Sequence, residues 1–125
     1  MADEVIHKHL IVRALVNNPI KDQQEAEDFI KFIVNEIDMK LVAGPISAYV
    51  TKEGNKGITC TCLIETSNIV FHIWDEPSPA LLQFDLYSCA DFSIYHILTL
   101  IDDKMDLVQY DHLLLDRGCS LTVKE

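Results

Sequence analysis

Between Pro45 and Tyr87 the chain fits four short apolar runs with little between them but turn residues. The runs cover about Pro45 to Lys52, Ile58 to Ile64, Ile69 to Trp74 and Leu81 to Tyr87. In the last, Leu82, Phe84 and Leu86 alternate against Leu81, Gln83, Asp85 and Tyr87, the period of a strand. Glu53-Gly54-Asn55-Lys56-Gly57 reads as a hairpin loop with two glycines available for positive φ. Glu65-Thr66 interrupts the apolar pattern only briefly, and Pro77-Ser78-Pro79 forces a turn. Connections this short join antiparallel neighbours, because a parallel crossover needs a dozen residues or more.

The flanking segments supply the second layer. Ile6 to Val16 is rich in Ile, Leu and Val and reads as a first strand, ended by Asn17-Asn18-Pro19. Asp22 with Glu25 three residues on is a capping-box-like helix start. Ala26, Phe29, Ile30, Ile33, Val34 and Ile37 then form one apolar stripe, about four turns long. The opposite face carries Glu27, Asp28, Asn35 and Glu36, a solvated face. Ile94, Ile97, Leu98, Ile101 and Met105 mark a second helix, and Leu107 to Leu115 a last strand. After Arg117-Gly118 the tail is expected to be less ordered. The order reads β-α-β-β-β-α-β, with one more strand where the central run divides near Ser67. Two helices with one apolar face each fit an α+β two-layer sandwich, both helices on one face of an antiparallel sheet. Phe29, Ile30, Ile33 and Val34 should pack with Ile94, Ile97, Leu98 and Ile101. The other sheet face should carry small and polar residues, with a homodimer built across it or along a sheet edge.

With 125 residues and no repeat or linker, the chain reads as a single domain over 1–125. Half its residues are apolar, so a core forms without a metal or disulfide staple. A net charge of -10 argues against nucleic acid or an anionic membrane as partner. The four cysteines, Cys60, Cys62, Cys89 and Cys119, make no C-x-x-C pair. Cys60 and Cys62 share a strand face with a spacing unlike a zinc site. We assign Cys60, Cys62 and Cys119 to packing or surface, and give His7, His96 and His112 no role. Met1-Ala2-Asp3-Glu4 lacks the basic and apolar regions of a signal peptide. No run reaches the roughly 20 apolar residues of a membrane helix. A cytoplasmic protein with reduced thiols is the expectation.

One constellation carries chemistry. Ser67 is followed five residues later by His72, in His72-Ile73-Trp74-Asp75-Glu76, and then by Asp85-Leu86-Tyr87-Ser88-Cys89. A serine in a strained turn can attack its own backbone, a histidine can move the protons, and a cysteine can act later as an acid. Taken singly, Ser67 is a turn residue, His72 a half-buried strand histidine, Cys89 a small core residue and Trp74 core or interface. On an unbroken strand His72 has the opposite parity to Ser67, so it reaches the serine only if the turn reorients that residue. Thr59 and Ser67 share a parity and can lie together.

Together with Gly57-Ile58-Thr59 and His9-Leu10, these segments resemble the small prokaryotic class of S-adenosylmethionine decarboxylase, a pyruvoyl enzyme made as a proenzyme. The likeness covers nearly the whole chain and is strongest from Gly57 to Cys89. Thr66 stands where that family usually has Glu, and Asn68 where it usually has His, as in a divergent or phage-type member. Neither change removes the serine hydroxyl or the attacked carbonyl. The resemblance implies self-cleavage between Thr66 and Ser67, with Ser67 becoming the pyruvoyl group, the only cofactor, without metal. It implies that His72 and Thr59 assist this processing and that Cys89 is the general acid in catalysis. The pyruvoyl carbonyl would form a Schiff base with the amine of S-adenosylmethionine, in polyamine (spermidine) biosynthesis. Trp74 would line the substrate approach, and Ser67, His72, Thr59 and Cys89 should converge on one site. Two alternatives stand beside this: a pyruvoyl ornithine or arginine decarboxylase, and an unprocessed, non-catalytic homologue that binds S-adenosylmethionine.

Overall fold

The computed structural model describes residues 6–125; Met1 to Glu4, read above as no signal peptide, lie outside the described residues. Strand β1 (Lys8–Val16) leads into helix α1 (Gln23–Glu36). Four strands follow, β2 (Leu41–Val50), β3 (Gly57–Ile64), β4 (Ser67–Trp74) and β5 (Ala80–Ser88). Helix α2 (Ile94–Met105), β6 (Leu107–Asp116) and a short β7 (Thr122–Val123) complete the order. The strands form one sheet, β2-β3-β4-β5-β1-β6-β7, in which every pair is antiparallel. The three hairpins β2–β3, β3–β4 and β4–β5 follow from the short turns, while β1 is inserted between β5 and β6.

Both helices cover the same face. Alternate residues of the central strands, Cys60, Ile69, Phe71, Ile73, Leu82, Phe84 and Leu86, are buried there in one cluster with both helices. All eight helix residues expected to pack together belong to that cluster, and Phe29 meets Phe71 edge to face at 6.0 Å. Asp22 caps α1 by accepting from the Glu25 N–H at 2.9 Å, and Ser93 caps α2 in the same way through His96. Cys60 and Cys62 lie in this core, and burial pushes their thiols up to about 12 and about 11.

Most boundaries fall within two residues of the sequence reading, and two differences are larger. Strand β2 begins four residues before Pro45, because β2 is an edge strand with register shifts on either side of Ala43. There a missing Pro N–H costs no ladder bond. The tail after Gly118 is not simply loose: Thr122 and Val123 pair with Asp116 and Leu115. Of the loop glycines, only Gly54 uses a positive φ, +88°. Gly57 is needed for another reason, since a Cβ there would stand 1.8 Å from the Ile73 carbonyl oxygen.

The open face of the sheet is mixed rather than small and polar. His9, Arg13, Thr59, His72, Gln83 and Asp85 alternate with the buried set, and His9 Nε2 lies 2.8 Å from Asp85. Around them Ile11, Ile46, Leu63 and Leu113 are 37%, 66%, 52% and 46% exposed. These exposed apolar side chains make the open face less polar than the sequence pattern suggested.

Candidate active site

The site begins at the tightest turn. Ile64 pairs directly with Ser67, so Glu65 and Thr66 alone make the β3–β4 turn. A two-residue turn normally places Gly or Asn at its unusual angles. Here the strain falls on Ser67, which has φ +155°. A residue with a Cβ rarely adopts that region, and holding it costs about 1–3 kcal/mol.

Strand β5 fixes what this turn faces. Ser67 pairs with Ser88, and one step further the Cys89 N–H donates to the Thr66 carbonyl oxygen at 2.9 Å. The carbonyl beside the Thr66–Ser67 bond is thus held by a backbone donor, the arrangement that stabilises an oxyanion during acyl transfer. Cys89 is exposed at this end of the sheet. Ser88 is fully buried; its hydroxyl accepts from the Ala90 N–H at 2.9 Å and lies 2.9 Å from the Ala90 carbonyl, shaping the turn that carries Cys89.

Thr59 and His72 form a separate pair. They face each other across β3 and β4, and Thr59 Oγ1 lies 2.9 Å from His72 Nδ1. That contact engages one ring nitrogen and leaves Nε2 as the atom to move a proton. The His72 ring stacks on Trp74 at 5.9 Å, and Trp74 Nε1 donates to Asn55 at 2.9 Å. Val50, Asn55, Gly57, Thr59, His72 and Trp74 border a small cleft of about 220 Å³. The β2–β3 loop beside it is clamped. Glu76 accepts from the Gly54 and Lys56 N–H groups at 3.2 and 3.1 Å, and these bonds hold its carboxyl below the usual range. Tyr49 donates to Asp75 at 2.6 Å.

The four expected residues therefore do not converge within one chain. Ser67 and Cys89 share one end of β4 and β5; Thr59 and His72 sit five residues along β4, roughly 16 Å away at a strand rise of about 3.3 Å. Distance separates them, and parity does too: Ser67 alternates with the buried set of Ile69, Phe71 and Ile73, whereas His72 lies on the open face. Thr59 likewise cannot lie with Ser67, because the hairpin register assigns it to His72. Sequence reasoning missed Met39, whose sulfur accepts from the Thr66 hydroxyl at 3.2 Å. It also missed the Glu76 clamp. A contact 27 residues apart leaves no local signal, whereas Glu76 stood inside the quoted motif. A larger groove of about 550 Å³ between α2 and β6 touches none of these residues. Among the described residues no group of three or more His, Cys, Asp or Glu could hold a metal ion. No described helix is long and apolar enough to cross a membrane.

Two comparisons bear on this geometry. A family model described as S-adenosylmethionine decarboxylase matches residues 8–118. The fold is similar to a crystal structure of the adenosylmethionine decarboxylase from Aquifex aeolicus VF5, with TM-score 0.74 and 20% identity over 98% of this chain and 97% of that one.

Proposed function

Since the chain belongs to the S-adenosylmethionine decarboxylase family, we propose that it cleaves itself between Thr66 and Ser67 and then decarboxylates S-adenosylmethionine for spermidine biosynthesis. The observation that carries this reading is the strained Ser67 beside a Thr66 carbonyl already engaged by the Cys89 N–H. Ser67 Oγ adds to the Thr66 carbonyl carbon, the developing oxyanion stays on the Cys89 donor, and the C–N bond breaks as its nitrogen gains a proton. The product is an ester. Loss of the Ser67 Cα proton expels Thr66 as a carboxylate, and hydrolysis then releases ammonia and leaves a pyruvoyl group. Relief of the Ser67 backbone strain favours the cut. Ser67 fits the group, since the Cys89 N–H already holds the Thr66 carbonyl and Cys89 follows Ser88, the ladder partner of Ser67.

The pyruvoyl group supplies the sink for the electron pair left by departing carbon dioxide, the work a pyridoxal cofactor does elsewhere. Cys89, on the turn after β5, returns a proton to the product carbon. Trp74, stacked on His72 at the far end of β4 from Ser67, would wall the substrate only from a second copy, together with His72.

His72 and Thr59 act in this reading from a second copy. A two-fold axis crossing β4 near Val70, with open faces together, exchanges the ends of the strand. Such a pairing would carry the His72 end of one copy's β4, with its Thr59 contact, toward the Ser67 turn of the other. The exposed Ile11, Ile46, Leu63 and Leu113 supply apolar surface for such a homodimer.

Denaturing mass spectrometry of protein incubated for days tests the proposal. Wild-type protein should give two fragments divided at Thr66–Ser67 and release carbon dioxide from S-adenosylmethionine, while Ser67→Ala stays one inactive chain. Release from ornithine or arginine instead would replace the substrate. One intact mass and no carbon dioxide would leave a non-catalytic homologue.

A further inference from the structure

The residue preceding the cut is held by its side chain as well as by its carbonyl. Thr66 is half-buried, and its hydroxyl donates to Met39 Sδ at 3.2 Å. Met39 follows Asp38, whose φ of +59° turns the chain out of α1, and its own N–H returns to the Val34 carbonyl at 3.0 Å. The Lys40 carbonyl accepts from the Glu65 N–H at 2.8 Å, so the Met39–Lys40 segment braces both turn residues. Met39 packs against the core, and its sulfur also lies 3.9 Å from the buried Ser88 hydroxyl. One side chain thus touches the turn that contains the scissile carbonyl and the strand end that leads to Cys89.

We infer that Met39 is a positioning residue for self-cleavage: its thioether fixes Thr66 so that the Thr66 carbonyl stays on the Cys89 N–H while Ser67 attacks. The inference rests on the self-cleavage reading. Acyl transfer is sensitive to small misplacements of the attacked carbon, so a side-chain anchor beside it acts on rate. Thr66 is suited to the task because its β-branch restricts χ1, so that hydroxyl and carbonyl move together. The thioether is suited as well: its soft sulfur accepts weakly, and its unbranched chain reaches the turn from the helix end.

The test measures the rate of chain scission, with the thermal midpoint as a control for folding. Met39→Leu keeps the volume and removes the acceptor; Thr66→Val keeps the shape and removes the hydroxyl. Each should slow scission by about two- to three-fold, the effect of one weak hydrogen bond, with little change in midpoint. Thr66→Ser keeps the hydroxyl but loses the β-branch, so its rate should fall between those of wild type and Thr66→Val. The pair Met39→Leu/Thr66→Val should be no slower than either single variant, because both remove one interaction. Wild-type rates in both single variants, or two slowings that multiply, would overturn the inference while wild-type cleavage upheld the reading beneath it. A wild-type chain that never cleaves would overturn both.

Discussion

The two ends of β4 are built on opposite terms. At Ser67 the backbone is strained, the turn is as short as a hairpin allows, and the neighbouring thiol is exposed. At His72 and Trp74 the ladder is regular and the side chains are tied down. Thr59 holds the imidazole, Asn55 holds the indole and Glu76 holds the loop. One end stores a reactive bond and the other holds a proton-moving group in place. A single chain keeps them a strand's length apart. If the proposed cleavage takes its base from His72, assembly with a second copy becomes a condition for the chemistry.

The largest effect should come from breaking that division of labour. His72→Ala should slow scission by two to four powers of ten or arrest it at an ester that hydroxylamine cleaves. Mixing His72→Ala chains with Ser67→Ala chains should restore cutting of the former, since the latter still supply His72. Failure of rescue in dimers verified by light scattering would mean that both ends act within one chain.

Cys89→Ala sharpens the contrast from the other end. Its backbone N–H remains, so scission should continue, while carbon dioxide release falls by two powers of ten or more. A variant that stopped cleaving would assign the side chain, rather than the N–H, to the first step.

The smallest expected effect concerns the clamp. Glu76 is held below the ordinary carboxylate range, so its contribution is full above that range and is lost as pH falls through its lowered folded value. Protection of the Gly54 and Lys56 amides, taken relative to the intrinsic exchange rate at each pH, should fall over that acid window and be low already at neutral pH in Glu76→Gln, with scission changed by a few-fold at most. Protection unaffected by pH or by the substitution would show that the Asn55 and Tyr49 contacts hold the loop by themselves.

The fold was legible because its signals are local and agree. The Asp22 cap, the Ala26-to-Ile37 stripe and the alternation of Leu82, Phe84 and Leu86 each point to an element that forms. Where β1 inserts was not legible, since nothing near Lys8–Val16 reports that its partners are β5 and β6. The candidate residues stood out in the sequence as a set, but their distances did not. Spacing along a chain gives parity and face; it does not say that a two-residue turn at Glu65-Thr66 sets Thr59 opposite His72 and carries both away from Ser67. Met39 was invisible for the same reason, being joined to Thr66 only by the tertiary fold.

The place of β1 in the sheet has a further consequence. A cut after Thr66 would divide the strands into two sets: β1, β2 and β3 on one fragment, β4 to β7 on the other. Those sets are interleaved, because β1 runs between β5 and β6 while β3 lies along β4. To separate, the fragments would have to unzip three full ladders and open one shared core together. The severed chain would therefore be a non-covalent splice, two polypeptides dovetailed into one body, and the new amino terminus would stay moored at the place where the bond was broken.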